Sequence, residues 1–301
     1  MTSTRSIGQF EYRKPGSLSE TLRLLKNKGD HIKVMAGGTD LILQIKQGQI
    51  SPSLVLDVKN VPELNRLEWN EAGGLHIGAA VPLSKLLASA IVSERFNILA
   101  QACSVIGSMQ IRNLGTVGGN ICNAAPSADL APALLCLGAR AIVASNTGTR
   151  KVNLDDFFVA PGETIMGSNE LLIEIEVPTP PAHSAGCYMR HTTREEMDIA
   201  VAGVASFLTM SPRSKKLKEV RIALGAVAPT PLRAHDAEAL LIGKAVTQRI
   251  IEEVAEKAAE EANPISDIRA SAEYRRELVK VLTRRTLQKS CEMLGIEIQR
   301  A

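Results

Sequence analysis

The most informative stretch of the sequence is IRNLGTVGGNICNAAPSAD, residues 111–129. Its centre, GTVGGN at 115–120, has three glycines among short side chains, so we expect a loop over 114–123. A second glycine turn, AGGTD at 36–40, follows an apolar run that predicts a strand. Glycine lets the main chain approach a ligand closely, and successive N–H groups in such turns bind anions. The two turns together predict a clasp for a diphosphate, to which the hydroxyls of Thr39 and Thr116 add hydrogen bonds.

The alternative interpretation of each turn is a tight connection without a ligand. A single Gly-Gly pair favours that alternative, whereas two pairs, each beside a threonine and an apolar run, favour a binding site. Neither turn contains the Gly-x-Gly-x-x-Gly pattern of dinucleotide-binding folds or the Gly-x4-Gly-Lys-Ser/Thr pattern of P-loops. The sequence therefore disfavours a Rossmann or P-loop site.

The pattern along the rest of the chain predicts an α+β order of elements. Ser17 and Glu20 form a capping box for a helix over 18–28, which Gly29 closes. Before the proline-rich linker at 178–181, we expect strands at 32–36, 54–58, 75–80, 139–144 and 171–177, and helices at 91–106 and from the cap Ser127 to 137. After the linker, we expect an antiparallel strand pair, 199–210 and 220–228, and then three helices, 236–242, 248–262 and 272–294.

Composition and charge argue against several classes of protein. The chain has 301 residues, and 35 basic against 32 acidic residues leave a net charge of +3, too balanced for a nucleic-acid binder. Aromatic residues make up 3%, which argues against a stacking platform for single-stranded nucleic acid. No apolar run predicts a membrane span or a secretory signal. The five cysteines are scattered without Cys-x-x-Cys spacing, so we expect no metal site, no disulfide framework and a reducing, cytoplasmic setting.

Three segments resemble the FAD-binding medium subunit of the molybdenum hydroxylases, a family that includes aerobic carbon monoxide dehydrogenase and the flavin domain of xanthine dehydrogenase. They are the turn at 36–40, the stretch at 111–129 and the segment REEMDIA at 194–200. The resemblance extends over nearly the whole chain in the same order. Some members carry an inserted cysteine-rich segment for a further iron–sulfur cluster, which this chain lacks. We interpret Cys122 as a small apolar residue packed near the cofactor.

The resemblance also implies a fold. It is a vanillyl-alcohol-oxidase-like, PCMH-type FAD-binding domain of two subdomains, followed by a C-terminal α+β domain like that of carbon monoxide dehydrogenase flavoproteins. We expect the first subdomain at 1–55, the second at 56–178 and the C-terminal domain at 182–301. A turn near Pro52 and the proline-rich linker mark these boundaries.

By resemblance, the two glycine turns hold the pyrophosphate of FAD. Asp129 is expected to accept hydrogen bonds from cofactor hydroxyls, the alternative being an acid in the first turn of a helix. Ile106, Leu172 and Arg190 are expected at further FAD contacts, with aliphatic core an equal alternative for the first two. Arg190 stands where the xanthine dehydrogenase domain has a lysine, and its planar fork differs in geometry. The expected FAD-binding residues are Val34, Met35, Ala36, Gly37, Gly38, Thr39, Asp40, Leu41, Ile106, Thr116, Val117, Gly118, Gly119, Asn120, Asp129, Leu172 and Arg190.

The stretch 191–198 resembles the loop that lies beside the flavin ring in the family. Arg194 and Asp198 are expected to tune the flavin, because a nearby positive charge favours the reduced, anionic flavin and a negative charge opposes it. A solvated charged turn between strands is the alternative. We expect no catalytic residue in this chain, since the flavin carries out the redox chemistry, and His191 is interpreted as a surface or hydrogen-bonded residue.

The function implied by the resemblance is electron transfer within an oxidoreductase complex. A large molybdopterin-containing subunit would oxidise the substrate, a small 2Fe–2S subunit would pass electrons to the FAD, and NAD, a quinone or another acceptor would take them. A dimer of such heterotrimers is expected. One alternative is a free-standing flavin oxidoreductase, but the few tyrosines and histidines form no evident constellation for a substrate site. The other is a scaffold without FAD, and the intact glycine turns argue against it. Carbon monoxide, an aldehyde, a purine and another N-heterocycle all stay open as the substrate.

Overall fold

The computed structural model describes residues 8–28, 31–194, 196–213 and 216–299; Gly29 and Glu195, which figure in the predictions above, lie outside these ranges. The strands are β1 (Glu11–Arg13), β2 (Ile32–Met35), β3 (Leu54–Asp57), β4 (Leu67–Asn70), β5 (Gly74–Gly78), β6 (Arg140–Ser145), β7 (Gly148–Asn153), β8 (Phe158–Ala160), β9 (Glu163–Thr164), β10 (Leu171–Val177), β11 (Ser184–His191), β12 (Ala202–Met210), β13 (Leu217–Gly225) and β14 (Leu232–Arg233). The α-helices are α1 (Leu18–Lys28), α2 (Leu41–Lys46), α3 (Leu83–Leu87), α4 (Ala90–Arg95), α5 (Asn97–Ser104), α6 (Met109–Leu114), α7 (Val117–Cys122), α8 (Leu130–Cys136), α9 (His235–Leu241), α10 (Gln248–Glu261) and α11 (Ala272–Met293).

The first sheet is small and parallel, with the strand order β1-β3-β2. Its central strand β3 is buried along its whole length, which agrees with the continuous apolar run that a strand covered on both faces requires. Leu22 and Leu25 of α1 pack into the same cluster as Leu54 and Leu56. This packing leaves the carboxyl end of β2 at an edge, where the first glycine turn begins.

The second sheet is antiparallel, with the order β4-β5-β10-β6-β7. Helices α3, α4, α5, α7 and α8 supply most of the side chains that cover it, in one cluster that also includes Ala205, Phe207 and Ala223 of the third sheet. Every residue of α8 is buried, because this helix packs against β12 and β13 as well as against its own domain. The core of the second sheet therefore continues into the third.

The third sheet has the order β11-β12-β13-β14 and is antiparallel throughout. Its other face is covered by α9, α10 and α11, whose apolar side chains form a second large cluster with β12 and β13. Strand β12 is buried from Ala202 to Thr209, since side chains pack against both of its faces. No helix within the described residues has the length and apolarity that a crossing of the bilayer requires.

Several predicted elements are confirmed at their ends. The hydroxyl of Ser17 accepts the N–H of Glu20, and Thr247 and Ser271 cap α10 and α11 in the same way. The strand at 171–177 and the antiparallel pairing of β12 with β13 are also confirmed. These features depend on residues close together in the sequence, which is why local pattern predicts them.

Three predictions about the middle of the chain are wrong. The helix expected over 91–106 is two helices, α4 and α5, that change direction at Phe96. The loop expected over 114–123 contains α7, which Thr116 caps by accepting the N–H of Gly119. Ser127 does not cap α8; Asp129 takes that position, without a cap hydrogen bond from its side chain.

Candidate cofactor-binding site

A cleft of about 650 Å³ opens between the first glycine turn, the segment 115–129 and the loop that follows β11. Its volume falls within the range of about 300–1,000 Å³ that is usual for small-molecule and cofactor sites. Its walls come from all three sheets or from the connections between them. The cleft therefore forms only when the three parts of the fold are assembled.

The first glycine turn offers free backbone donors. Gly38 has a φ of +72°, a conformation that glycine adopts without strain, and the chain reverses there before α2 begins. Within the described ranges, the N–H groups of residues 37–40 have no protein acceptor. Residues 37–39 are half-buried and Asp40 is exposed. Half-buried N–H groups are nearly always paired, so the unpaired donors of this turn are available to a ligand.

The two glycine segments are in direct contact. A Cβ atom on Gly37 would lie 2.3 Å from the carbonyl oxygen of Leu114 and 2.8 Å from the Cα of Gly115. A Cβ on Gly115 would lie 4.0 Å from Oγ1 of Thr39. Glycine at 37 is therefore required by the close approach of two backbones rather than by its own dihedral angles.

The second segment does not act as the second half of a symmetrical clasp. The N–H of Val117 donates to the carbonyl of Val81 at 3.0 Å, and that of Gly118 donates to the carbonyl of Ala79 at 2.9 Å. The hydroxyl of Thr116 accepts the N–H of Gly119 at 3.0 Å. These donors are used to start α7 and to attach it to the loop after β5, so the prediction that both turns present free N–H groups needs correction.

Asn120 supplies an unpaired polar atom to the cleft. Its Oδ1 is buried and has no hydrogen-bond partner in the part of the chain that the structure describes. A buried acceptor without a partner costs about 1–3 kcal/mol, so such an atom in a cleft wall indicates a ligand that donates to it. Together with the free N–H groups of the first turn, it fits a molecule that carries both a diphosphate and donor groups, as FAD does.

Asp129 lies on the cleft wall in a network that crosses from α8 to β11. Its Oδ1 accepts from the hydroxyl of Tyr188 at 2.7 Å, and its Oδ2 accepts from Nη1 of Arg190 at 2.8 Å. The side chains of Asp129 and Arg190 are only 8% and 7% exposed. Arg190, expected at the cofactor, instead forms an ion pair behind the wall of the cleft.

Burial raises the pKa of Asp129 to about 6, against an ordinary value of 3.8, although Arg190 and Tyr188 act to lower it. Between pH 3.8 and pH 6, Asp129 therefore keeps a proton in the folded chain that it has released in the unfolded chain. The stability of the folded chain falls as the pH rises through that range. Above pH 6, the ionised carboxylate costs about 3 kcal/mol of folding free energy. Ionisable groups held at such a cost are common at functional sites.

The loop after β11 closes the third side of the cleft. Asp198 lines it, and the carboxylate accepts the backbone N–H groups of Arg194 and Ile199 at 2.8 and 2.9 Å. The N–H of Arg194 is the largest cause of the lowered pKa of Asp198. The side chain of Arg194 is 71% exposed, and Arg194 does not line the cleft. Of the two residues expected to tune the flavin, the structure brings only the acidic one to the site.

The predicted site residues thus separate into two groups. Those on the cleft wall are Val34, Met35, Ala36, Gly37, Gly38, Thr39, Asp40, Leu41, Ile106, Thr116, Gly119, Asn120 and Asp129. Those that the structure places off the wall are Val117, Gly118, Leu172 and Arg190. The first three are buried in the core, and a Cβ on Gly118 would lie 2.6 Å from Cβ of Ala79. Lining residues that the sequence did not indicate as ligands include Leu43, Gln44, Leu83, Gly107, Ile111, Cys122, Asn123, Ser127, Met197 and Ile199.

The charge of the cleft is unusual for an anion site. Asp40, Asp129 and Asp198 line it, and none of the described residues on its wall is lysine or arginine. A diphosphate there must therefore be held by backbone N–H dipoles rather than by a side-chain cation.

A second, smaller depression contains His76, Glu174 and Glu176, whose donor atoms all lie within 4.8 Å of one another. Nδ1 of His76 already pairs with Glu174 at 2.7 Å, and Nζ of Lys151 pairs with Glu176 at 2.7 Å. Arg140 adds a second cation beside Glu176. Glu176 is thus neutralised by two protein cations, and Nδ1 of His76 is already hydrogen-bonded to Glu174, which disfavours a metal ion.

Comparison with known proteins agrees with this geometry. The family of FAD binding domains in molybdopterin dehydrogenase matches residues 8–180, and the family of CO dehydrogenase flavoprotein C-terminal domains matches residues 188–290. The glyceraldehyde dehydrogenase medium chain of Sulfolobus acidocaldarius is 35% identical over 275 residues, which cover 91% of this chain and 96% of that one. The xanthine dehydrogenase FAD-binding subunit of Escherichia coli O157:H7 is 30% identical over 289 residues, 96% of this chain and 98% of that one.

A solved structure extends the similarity to the whole fold. A carbon monoxide dehydrogenase from Hydrogenophaga pseudoflava, one that lacks the Mo-pyranopterin moiety of its cofactor, superposes with a TM-score of 0.91 and 32% identity over 96% of this chain and 99% of that chain. The fold predicted from the resemblance, an FAD-binding domain followed by a C-terminal α+β domain, is confirmed. The chain belongs to the FAD-binding medium subunits of the molybdopterin dehydrogenases, the family of the xanthine and carbon monoxide dehydrogenases, and its cofactor is FAD.

Proposed function

We propose that this chain is the FAD-carrying electron-transfer subunit of a molybdenum hydroxylase. It accepts electrons from a 2Fe–2S subunit and passes them to an external acceptor such as NAD or a quinone. The observation that carries this proposal is the row of unpaired N–H groups at residues 37–40, which faces a cofactor-sized cleft without a side-chain cation. Such a row suits the diphosphate of a dinucleotide.

Different residues of the cleft bind different parts of FAD. The first turn binds the diphosphate through its N–H groups, and Gly37 and Gly38 are needed there for close approach and for the reversal of the chain. Asn120 and Asp129 accept hydrogen bonds from donor groups of the cofactor. We assign the first turn to a subdomain at 1–55, Asn120 and Asp129 to a second at 56–178, and the loop with Asp198 to a C-terminal domain at 182–301.

Bound FAD supplies the redox chemistry, and the chain supplies position and electrostatics. Asp198 places a negative charge at the cleft, which opposes the reduced, anionic form of the flavin. Within the described residues, the cleft wall has no histidine, lysine or tyrosine, and burial raises the pKa of the Cys122 thiol to about 12. The carboxylates on the wall are those of Asp40, Asp129 and Asp198, and the last two already accept hydrogen bonds from the protein, which supports electron transfer over direct oxidation of a small molecule.

The proposed partners are a large molybdopterin-containing subunit and a small 2Fe–2S subunit, in a dimer of heterotrimers in the cytoplasm. Large apolar side chains at and beside the mouth of the cleft support docking of another chain there. Leu43, Met197 and Ile199 line the cleft and remain exposed, and Met109 and Leu114 of the adjacent α6 are 64% and 57% exposed. Exposed apolar patches of this kind mark interaction surfaces.

Purification of the native complex, followed by flavin and metal analysis of each chain, tests the proposal. We expect one FAD on this chain, iron and molybdenum on two companion chains, and reduction of the FAD only when the companions and the substrate are present. Reduction of the FAD of the isolated chain by a small organic donor would instead support a free-standing oxidoreductase. A chain purified without flavin that takes up no FAD would contradict both. A screen with carbon monoxide, aldehydes, purines and other N-heterocycles would identify the substrate.

A further inference from the structure

The network of Asp129, Tyr188 and Arg190 joins the two family domains at the cleft. Asp129 lies in the FAD-binding domain, whereas Tyr188 and Arg190 lie two residues apart on β11 of the C-terminal domain. Residues i and i+2 of a strand point to the same face, so both side chains reach the same carboxylate. The backbone N–H of Tyr188 also donates to the side chain of Gln101 at 2.8 Å, which fixes this part of β11 against α5.

The position of the Asp129 side chain indicates a role beyond ordinary packing. Asp129 is the N-cap residue of α8, a position where a carboxylate normally accepts an N–H of the first turn, yet its side chain makes no cap hydrogen bond. It turns instead to Tyr188 and Arg190, each of which takes up one of its oxygens. A carboxylate has about four acceptor sites, so each oxygen keeps the capacity to accept another hydrogen bond from the cleft.

We propose that Tyr188 and Arg190 are positioning residues that hold Asp129 ionised and correctly oriented, so that the C-terminal domain sets how tightly the FAD-binding domain grips its cofactor. This inference rests on the proposed function of the cleft. Neither Tyr188 nor Arg190 lines the cleft, so both act through Asp129 rather than by contact with FAD. Protonation of Asp129 removes acceptor capacity, and affinity for FAD falls with it.

The surroundings of Asp129 make its titration specific to this network. Tyr188 and Arg190 of β11 are the charged or titratable groups that shift its pKa, and they oppose the effect of burial. The other titratable groups on the cleft wall are Asp40 of the first turn, Cys122 of α7 and Asp198 of the loop after β11. The Cys122 thiol stays neutral because burial raises its pKa, and the pKa of Asp198 is lowered, so neither titrates near pH 6.

The test is the dissociation constant for FAD, measured from pH 5 to pH 8 by quenching of flavin fluorescence, on the full chain freed of flavin. For the wild-type chain, we expect constant affinity above about pH 6 and weaker binding below it, because the pKa of Asp129 is about 6. Tyr188→Phe and Arg190→Gln each remove one group that favours the ionised form. A hydrogen bond to a charged group moves a pKa by about one unit, so the midpoint of the loss should shift upward by about that amount in Tyr188→Phe. Arg190→Gln also removes the opposite charge, and a shift of about 1–3 units is expected there.

Three further variants make the test specific. Asp129→Asn should bind FAD more weakly than the wild-type chain above about pH 6 and lose the dependence on pH near 6. Arg190→Lys, which retains the charge but not the fork, should fall between the wild-type chain and Arg190→Gln. Tyr12→Phe is the matched control, because Tyr12 donates to Asp57 in a similar pair away from the cleft. It should leave the profile unchanged.

The outcomes separate this inference from the proposed function. If the wild-type chain binds FAD at pH 8, but Tyr188→Phe and Arg190→Gln lose affinity at the same midpoint pH as the wild-type chain, the positioning role is wrong and the FAD site stands. A pH-dependent loss that persists in Asp129→Asn has the same meaning. If the wild-type chain fails to bind FAD at any pH, both the site and the positioning role are overturned.

Discussion

The contact between the two glycine segments predicts a large effect for the smallest possible change, Gly37→Ala. The φ of Gly37 is not positive, so an added methyl group acts through its volume alone. That methyl would lie 2.3 Å from the carbonyl oxygen of Leu114, whereas ordinary van der Waals contact begins at 3.4 Å. The two backbones must therefore separate by about 1 Å, and no side-chain rotation relieves the overlap.

Overpacking of this kind costs typically about 1–3 kcal/mol. Part of that cost appears in the free energy of unfolding, which denaturation by urea measures. The rest appears when FAD is bound, because the cofactor brings the two segments back together. If the whole cost of overpacking appears in the binding step, affinity for FAD falls about 5-fold to 150-fold, as measured by fluorescence quenching.

Gly16→Ala is the matched control, since a Cβ at Gly16 would meet only the flexible end of Glu20, at 3.9 Å. It should leave both the stability and the affinity for FAD near their wild-type values. Wild-type affinity and stability in Gly37→Ala would show that the two segments do not approach as closely as described. That result would refute the reasoning about the first turn.

Three other predictions follow from the same site. Gly118→Val should lower the free energy of unfolding by about 1–3 kcal/mol, because its Cβ meets Ala79. Gly119→Val should mainly weaken FAD binding, because Gly119 lines the cleft. If the two variants were equally stable and lost the same FAD affinity, this difference between the two glycines would be contradicted. Burial raises the pKa of all five cysteine thiols, so a disulfide reagent at pH 8 should modify at most Cys122 in the flavin-free chain. Bound FAD should block that reaction, and urea should make all five thiols reactive. Rapid reaction of several thiols in the folded chain would contradict their burial. Asp198→Asn removes a negative charge from the cleft, so spectroelectrochemistry should find a higher two-electron potential for the bound flavin, and an unchanged or lower potential would contradict a role for Asp198.

The sequence predicted the elements whose determinants are local. Thr247 and Ser271 each stand three residues before the N–H that they accept, and the run at 171–177 matches β10. A similar local signal existed at Thr116, which caps α7 through the N–H of Gly119, but the glycines there favoured the prediction of a loop. Packing of Gly118 against Ala79 outweighs the low helix propensity of glycine at that point.

The parts of the site that the sequence did not predict depend on residues far apart in the chain. The N–H groups of Val117 and Gly118 donate to carbonyls of residues 81 and 79, and no local pattern reveals that these donors are used. The ion pair of Arg190 joins it to a residue 61 positions away, and its place off the cleft wall depends on how β11 packs. One usable signal was available, because Tyr188 and Arg190 stand two residues apart on a predictable strand face.

The most direct test of the central claim is a crystal structure of the full chain with FAD bound. We predict that diphosphate oxygens lie within about 3.2 Å of the backbone nitrogens of residues 37–40, with no lysine or arginine side chain of this chain in contact. A diphosphate held instead by the N–H groups at the start of α7, or by a cation from elsewhere, would contradict the account.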